Sequence, residues 1–499
     1  MNVLSSLART AIAACSMLLF AGCSLAPAER RPDVDIPVAY REANADAALH
    51  AAPGEELGQW VPASPADEQA PSPWWTTFGD PVLVELEAQA LKANPDVAIA
   101  MARLTQARAL SSRAESARYP SLDAGFGPTR QRTSGAAAMR GDGAAGIEQT
   151  LWRTQATVAY EADVFGRVSS EVAAARASAA EQQALSHQLL LIVQADVAST
   201  YFTLRELEGE RRLLADTVKI REAGVGLLER KAALGAVATV IVDQAKAELS
   251  AVRADQAKVE QDASLTKHAL AVLLGQTPAA FTLAAVPLSN VSARVAEGLP
   301  STLLERRPDV AAAERAMAAD NARIGAARAA YFPSLSLTGS FGYESAQLGN
   351  LTNWSQRTFL LGPLVGTALS LPIFDGGKRR ADVARARADY EESVGAYRKT
   401  VLQAFREVED ALASTRLLDV RLANDRDAEA ASARVASSIQ TRFDEGDVDY
   451  LAVVDAERTL LGNRQARLRT EGARVRATVD LVRALGGGWH APAQKGSMR

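Results

Sequence analysis

Two stretches of this chain, Gly166 to Thr277 and Ile373 to Ala491, contain no proline. Both are dominated by Ala, Glu, Arg, Leu, Gln and Asp, and Ala, Leu, Arg and Glu stand among the strongest helix formers. Gly235 and Gly446 interrupt the two stretches at matching places. Each stretch therefore reads as a helix of about 65 residues, a glycine turn, and a second helix of about 35. At 1.5 Å per residue the longer helix would reach about 100 Å. Helices of that length are not the cores of compact globules; they build coiled coils or tubes of helices. The abundant alanine fits, because small side chains let backbones approach closely. Leu189, Ile192, Val193, Val197, Phe202, Leu204 and Leu207 follow no strict heptad and cover more than a narrow seam, which implies lateral contacts on two sides.

The matching glycines belong to a larger duplication. Residues 94–122 and 307–335 align without a gap at an offset of 213. Asn94-Pro95-Asp96-Val97 answers Arg307-Pro308-Asp309-Val310, and Tyr119-Pro120-Ser121-Leu122 answers Phe332-Pro333-Ser334-Leu335. Phe165-Gly166 corresponds to Phe374 and the pair Gly376-Gly377, and residues 227–249 resemble 438–460. A period above 200 residues is far too long for a solenoid unit; it is a domain-sized element written twice, and it predicts internal pseudo-twofold structure.

Each copy opens on a helix of about 35 residues, over 83–118 and 301–331, with Pro95 and Pro308 at an interruption or first-turn position. Two short alternating segments follow: 121–127 and 154–161 in the first copy, 334–343 and 364–371 in the second. Their period is two, small polar residues alternating with apolar or aromatic ones, the weak signature of barrel strands with a polar lumen and an apolar exterior. Polar glycine-rich loops are expected at 128–150 and 344–360, with Trp152 and Trp354 beside them, placed either at a membrane interface or as isolated packing residues. Four strands are too few to close around a pore, and an open sheet edge cannot face lipid. Strands must then be pooled between chains: three chains give 12, while two give eight, a number usually filled by side chains.

The chain opens on a short apolar segment ending Phe20-Ala21-Gly22-Cys23. It is about half the length a spanning helix needs, and it reads as a secretory signal peptide. Small residues directly before a cysteine resemble a bacterial lipobox, which implies acylation of Cys23 and removal of residues 1–22. Ser24 favours the outer over the inner membrane in that class. The organisation expected is a signal peptide (1–22), a lipid-anchored tether rich in Ala, Pro, Glu and Asp (23–73), a first repeat (74–299), a second repeat (300–486) and a tail (487–499).

Composition narrows the function. With 55 basic and 59 acidic side chains the net charge is -4, which excludes a strongly basic nucleic-acid binder. Four scattered histidines and two cysteines near the N-terminus supply neither a disulfide framework nor a metal cluster. Neither HExxH, G-x-S-x-G nor a phosphate-binding glycine loop is present, so no enzyme and no cofactor is expected beyond the covalent lipid on Cys23. A periplasm-spanning coiled-coil scaffold would explain the helices but not the duplicated alternating segments.

These pieces together resemble the TolC/OprM family of outer-membrane efflux channels, in its lipoprotein (NodT-like) branch, over roughly 74–486. The matching pieces are Trp74-Trp75-Thr76-Thr77-Phe78-Gly79-Asp80-Pro81, both Pro-Asp-Val copies, both Tyr/Phe-Pro-Ser-Leu copies, Leu371-Pro372-Ile373-Phe374-Asp375-Gly376-Gly377, and Gly446-Asp447-Val448-Asp449-Tyr450-Leu451 with its continuation to Ala456. The resemblance implies a mixed, mainly α fold: a long helical tunnel plus four strands per chain in a 12-stranded trimeric transmembrane barrel. It implies a homotrimer in the outer membrane reaching into the periplasm, a periplasmic adaptor, an inner-membrane pump of the RND type, and passive passage of drugs or other toxic small molecules. An outlet for type I protein secretion is the alternative within channels. By position, Asp455 would line the periplasmic constriction; the partner carboxylate of the family falls on Ala452. Gly235, Gly446 and Asp447 would sit at adaptor-facing hairpin tips, although Asp444, Asp447 and Asp449 are equally read as a solvated, helix-capping turn.

Overall fold

A computed structural model describes residues 25–28, 32, 40–42, 73–285 (without 137, 140, 142 and 144), 306–361 and 368–487. Cys23, the signal peptide and most of the expected tether lie outside the described residues. The elements in order are α1 (Pro81–Ala93), α2 (Pro95–Ser116), β1 (Ser121–Thr133), β2 (Ile147–Ala162), α3 (Arg167–Ala233), α4 (Thr239–Leu273), α5 (Pro308–Ala329), β3 (Ser334–Ser345), β4 (Arg357–Leu361), β5 (Leu369–Ser370), α6 (Lys378–Asp444) and α7 (Tyr450–Ala484). The predicted hairpins are present in both copies, each pairing a 67-residue helix with one of 35. No described helix is long and apolar enough to cross a membrane.

The chain divides into two compact units. Among the described residues, the first holds 25–28, 32 and those of 104–182, 313–361 and 368–397, with the sheet, and the second holds 40–42, 73–103, 183–285, 306–312 and 398–487. Residues 167–182 of α3 and 378–397 of α6 belong to the first unit and the rest of each helix to the second.

In the first unit the strands form one antiparallel sheet, ordered β1-β2-β3-β4, with β5 also on β3. β4 pairs Gly339–Tyr343 and β5 pairs Ser334–Leu335, so the two are pieces of a single fourth strand. The strands depart from their predicted bounds. β1 and β2 run into the expected 128–150 loop, and β4 lies in the expected 344–360 loop except for its last residue, Leu361. The predicted 364–371 segment falls partly on residues outside those described, with β5 at its end. Pro128, which falls in the expected 128–150 loop, sits inside β1; β1 is an edge of this sheet, where a residue without an N–H is tolerated. The junctions from strand to long helix are capped by side chains. Asp163 accepts from Val168 N and Ser169 N at 2.9 and 2.6 Å. Asp375 accepts from Gly377 N at 3.0 Å and Arg379 N at 3.1 Å. Hydrogen bonding from Arg379, followed by these amides, holds the Asp375 carboxyl down at about 2. Residues 25–28 lie against α5, where Arg328 donates to Leu25 O and Asn321 to Pro27 O at 3.1 and 2.9 Å.

The second unit carries the main core. Trp74, Trp75 and Phe78 of a 3-10 turn pack with Leu83, Leu86 and Ala90 of α1, Tyr201 and Phe202 of α3, Leu270 and Leu274 at the end of α4, and Val475, Val479 and Val482 of α7. Asp80 caps α1, accepting from Val82 N at 2.9 Å and from the Tyr201 hydroxyl at 2.6 Å. The expected helix over 83–118 is broken at Asn94, whose carboxamide oxygen accepts from Asp96 N and Val97 N, at 2.8 and 3.2 Å, and so starts α2 at Pro95.

The duplication is visible at atomic detail. Asn94 Nδ2 donates to Leu273 O, the last residue of α4, and Arg307 Nη1 donates to Ala484 O, the last residue of α7, both at 2.8 Å. Gly275 and Gly486 follow those helices with φ of 67° and 86°. A Cβ on them would stand 2.1 Å from Ala93 O and 3.0 Å from Arg306 O, so close approach as well as backbone conformation requires glycine.

Candidate channel wall and hairpin tips

Residues directly opposed in an antiparallel ladder share one face of the sheet, so the register sorts the side chains. One face carries Leu122 opposite Val158, Phe126 opposite Thr154, Pro128 opposite Trp152, Tyr160 opposite Leu337, and Phe341 opposite both Ala156 and Phe359. Leu122, Phe126 and Phe359 are 72%, 65% and 71% exposed. From Trp152 to Tyr160 this face covers about 27 Å of strand, the scale of the apolar band of outer-membrane barrels. Beyond Trp152 the same face turns charged, with Arg130 and Arg132 at 3.4 and 3.8 Å from Glu148. Trp152 stacks on Phe126 at 5.9 Å. Trp354, 67% exposed, carries the Arg357 guanidinium 4.4 Å above its ring. Both tryptophans thus sit where apolar strand gives way to charge.

The opposite face is mainly polar and small, with Asp123 opposite Thr157, Gly125 opposite Gln155, and Thr157 opposite Ser340; Leu151 and Leu360 are apolar residues on it. Its largest feature is an ion pair, with Arg153 Nε donating to Glu344 Oε2 at 2.6 Å and Nη2 reaching Gln131 Oε1 at 3.4 Å. The sheet thus has one apolar and one mainly hydrophilic face, with an open edge at β1.

In the second unit the two hairpins turn in the same way. Gly235 N donates to Ala232 O and Ala236 N to Lys231 O; Gly446 N donates to Phe443 O and Asp447 N to Arg442 O. This is the Schellman closure, with its left-handed residue supplied by Gly235 (φ 72°) and Gly446 (φ 82°). The carboxylates around Gly446 divide their work. Asp449 caps α7, accepting from Ala452 N at 3.0 Å; Asp447 accepts from Arg442 Nε at 2.8 Å; Asp444 accepts from Gln440 at 3.0 Å. The capping reading of this turn therefore holds for Asp449. Phe443 and Tyr450 pack across the turn at 5.7 Å, with Lys231 of the first hairpin 5.7 Å from the Phe443 centroid.

Asp455 stands one turn into α7 with its side chain 64% exposed and Arg458 3.9 Å away. Arg458 leads inward: its Nε donates to Glu248 of α4 at 2.9 Å, its Nη2 makes a second contact there, and Arg221 of α3 donates to the same carboxylate at 3.0 Å. The Arg458 hydrogen bond, with both guanidinium charges, holds the Glu248 carboxyl below its usual range, while burial raises neighbouring Glu457. This knot of Arg221, Glu248 and Arg458 joins three helices and was not read from the sequence. The signal was present: Leu214, Val218, Val225 and Leu228 of α3 and Val242, Ala245, Leu249 and Val252 of α4 form the hairpin seam, and Arg221 falls in their spacing. The expected Gly235, Gly446, Asp447 and Asp455 gather in the tip half of the hairpins, whereas Cys23 lies outside the described residues. Among the described residues no group of three or more His, Cys, Asp or Glu is arranged to hold a metal ion.

Comparison with known proteins gives a consistent picture. The sequence profile of the family described as Outer membrane efflux protein matches residues 86–276 and 299–487, once per repeat. The chain is 34% identical over 471 residues to the toluene efflux pump outer membrane protein TtgF of Pseudomonas putida, covering 94% of each chain. It is 30% identical over 479 residues to the cation efflux system protein CusC of Escherichia coli, covering 95% of this chain and 98% of that one. Among solved structures, a membrane protein from Pseudomonas aeruginosa superposes with a TM-score of 0.82 at 30% identity, covering 94% of this chain and 98% of the other.

Proposed function

The chain belongs to the outer membrane efflux protein family, matched over both repeats, and from that premise we propose that it is the outer-membrane channel of a tripartite, RND-type efflux system. It catalyses no reaction; it gives passive passage to what a pump and adaptor deliver. The observation that carries this reading is the two-faced sheet. Its apolar, aromatic face suits lipid and its face of Ser, Thr, Gln and Gly suits water, yet four strands cannot close around a pore. A homotrimer supplies 12 strands, and the long helices continue the passage on the periplasmic side.

The finer assignments follow from position. Cys23 carries the lipid anchor of a lipoprotein (NodT-like) branch. Gly235, Gly446 and Asp447 form the adaptor-facing tips, and three copies of Asp455 ring the periplasmic constriction, repelling anions and attracting cations. The cargo is proposed to be organic: toluene is named for TtgF and cations for CusC, but this chain has only two cysteines, four histidines and six methionines, a thin supply of ligands for soft metal ions.

Purified full-length protein in a planar bilayer tests the core of this reading. Discrete conductance steps from particles with the mass of three chains are expected. Trimers that insert without conductance would overturn the channel, and conductance from single chains would overturn the shared barrel.

A further inference from the structure

Helices α2 and α5 are copies aligned without a gap, yet their surroundings differ. In α5, Ala322 and Ala329 are buried, and a Cβ on Gly325 would stand 2.9 Å from Ser170 Oγ of α3 and 3.0 Å from Ala26, so this face of α5 is closely covered by the start of α3 and by residues 25–28. Just past α5, Phe332 stacks on Phe165, with centroids 5.0 Å apart and planes 19° apart. At the matched positions of the first copy, Ala109 and Ser116 are exposed and Tyr119 is 72% exposed.

The other side of this junction is duplicated too. Phe165 stands directly ahead of α3. The corresponding turn ahead of α6 carries Ile373 and Phe374, 93% and 90% exposed. Ser170, in the first turn of α3, is buried, and Ala381, its counterpart in α6, is exposed. One chain therefore contains one finished junction, between the end of the first copy's sheet segment and the start of the second's, and two unfinished halves. The halves are complementary: one lacks a cover for Tyr119, the other lacks a surface for Ile373 and Phe374. They also flank the two edges of the sheet, β1 and the β4/β5 strand.

We propose that the Ile373–Phe374 turn of one chain packs on Tyr119 and the end of α2 of a second copy, repeating between chains the Phe165–Phe332 junction made within each. This rests on the homotrimer reading above and deepens it, since it names the surfaces that meet. The contact is head-to-tail, the kind that generates a ring when the rotation closes. Two aromatic rings and an isoleucine, nearly bare in one chain, supply the apolar area such an interface needs. A lipid surface is the competing cover for the same side chains.

Cysteine cross-linking in the full-length protein, held in its native membrane, separates the possibilities. Tyr119→Cys and Phe374→Cys together should give, on mild oxidation, bands of two and three chains on a non-reducing gel. Either change alone should not, and co-expression of the two single variants should stop at two chains. Phe165→Cys with Phe332→Cys should link within one chain and calibrates the reaction. A trimer by native mass whose double variant stays uncross-linked would overturn the contact and leave the trimer standing; a single-chain particle would overturn both. Should the cysteines impair folding, Phe374→p-benzoylphenylalanine keeps an aromatic ring in place. Irradiation should then attach it to the peptide containing Tyr119 of another chain; attachment to lipid alone would overturn the proposal.

Discussion

Glu87 occupies the inward face of α1 between Leu83 and Ala90, fully buried, and neither carboxyl oxygen has a hydrogen-bond partner among the described residues. Burial alone raises its pKa from 4.5 to about 9, so the side chain is a neutral acid at pH 7. Because the folded value is raised, the folded state holds the proton more tightly than the unfolded one. Its contribution to stability is complete below pH 4.5 and is lost as pH climbs towards 9, by about 1.4 kcal/mol per pH unit. Glu87→Gln should abolish that slope, matching the native protein near pH 4.5 and melting at higher temperature at pH 8. Parallel melting curves for the two proteins across pH would refute a buried, neutral Glu87. Two glycines of α7 give the opposite kind of test. A Cβ at Gly472 would stand 1.9 Å from Glu206 Oε2, while one at Gly462 meets nothing within 4 Å. Gly462→Ala should stabilise by up to about 1 kcal/mol through helix propensity. Gly472→Ala should destabilise despite the same propensity gain, and thermal melting of both variants decides it.

At the level of elements, what was legible in the sequence is what backbone chemistry dictates. Proline marked an interruption or first turn where α2 and α5 prove to start, glycine placed both hairpin turns, and proline-free runs gave helices of nearly the right length. Strand ends were harder. Pro128, Arg130 and Arg132 look like loop residues, but they occupy an edge strand that has already left the apolar band. The seam of α3 with α4 was obscured because Arg221 takes a position that leucine or valine would have advertised. Its charge is met by Glu248, and Glu248 by Arg458, so the start of α7 is tied to the first hairpin by ions as well as by the apolar packing of Tyr450 and Leu461. Removing one member of such a knot strands the others. Arg458→Ala should therefore loosen α7 at its start, seen as faster amide exchange over 450–460, with no change around Trp74. Asp455 is separable from this knot, since only its 3.9 Å approach to Arg458 connects them. Asp455→Ala should raise single-channel conductance and weaken block by multivalent cations. Unchanged traces across a cation series would remove Asp455 from the constriction. At the turns, Gly446→Arg forces a side chain into a left-handed residue at the proposed docking tip. It should reduce drug export while trimer abundance stays normal; export at the native level would argue against docking there.

For the whole molecule, the surfaces that matter are those a single chain leaves unfinished. The sheet has edges, one of its faces is apolar, and the copies α2 and α5 differ in cover. The proposed acylation of Cys23 is separate from this geometry, because residues 25–28 are held on α5 by Asn321 and Arg328. Cys23→Ser should accordingly still give folded trimers but lose incorporation of labelled palmitate, and a variant that retains the label would refute acylation at Cys23. The unequal treatment of the two repeats also has a consequence in time. The second copy's opening helix finds its neighbour on the same polypeptide, at a local concentration fixed by the chain, so that half matures in a first-order step. The first copy's opening helix must wait for another molecule. Of the two matched helices, the one that leaves the ribosome first is therefore the one that reaches its final surroundings last, at a rate set by how many sister chains are at hand.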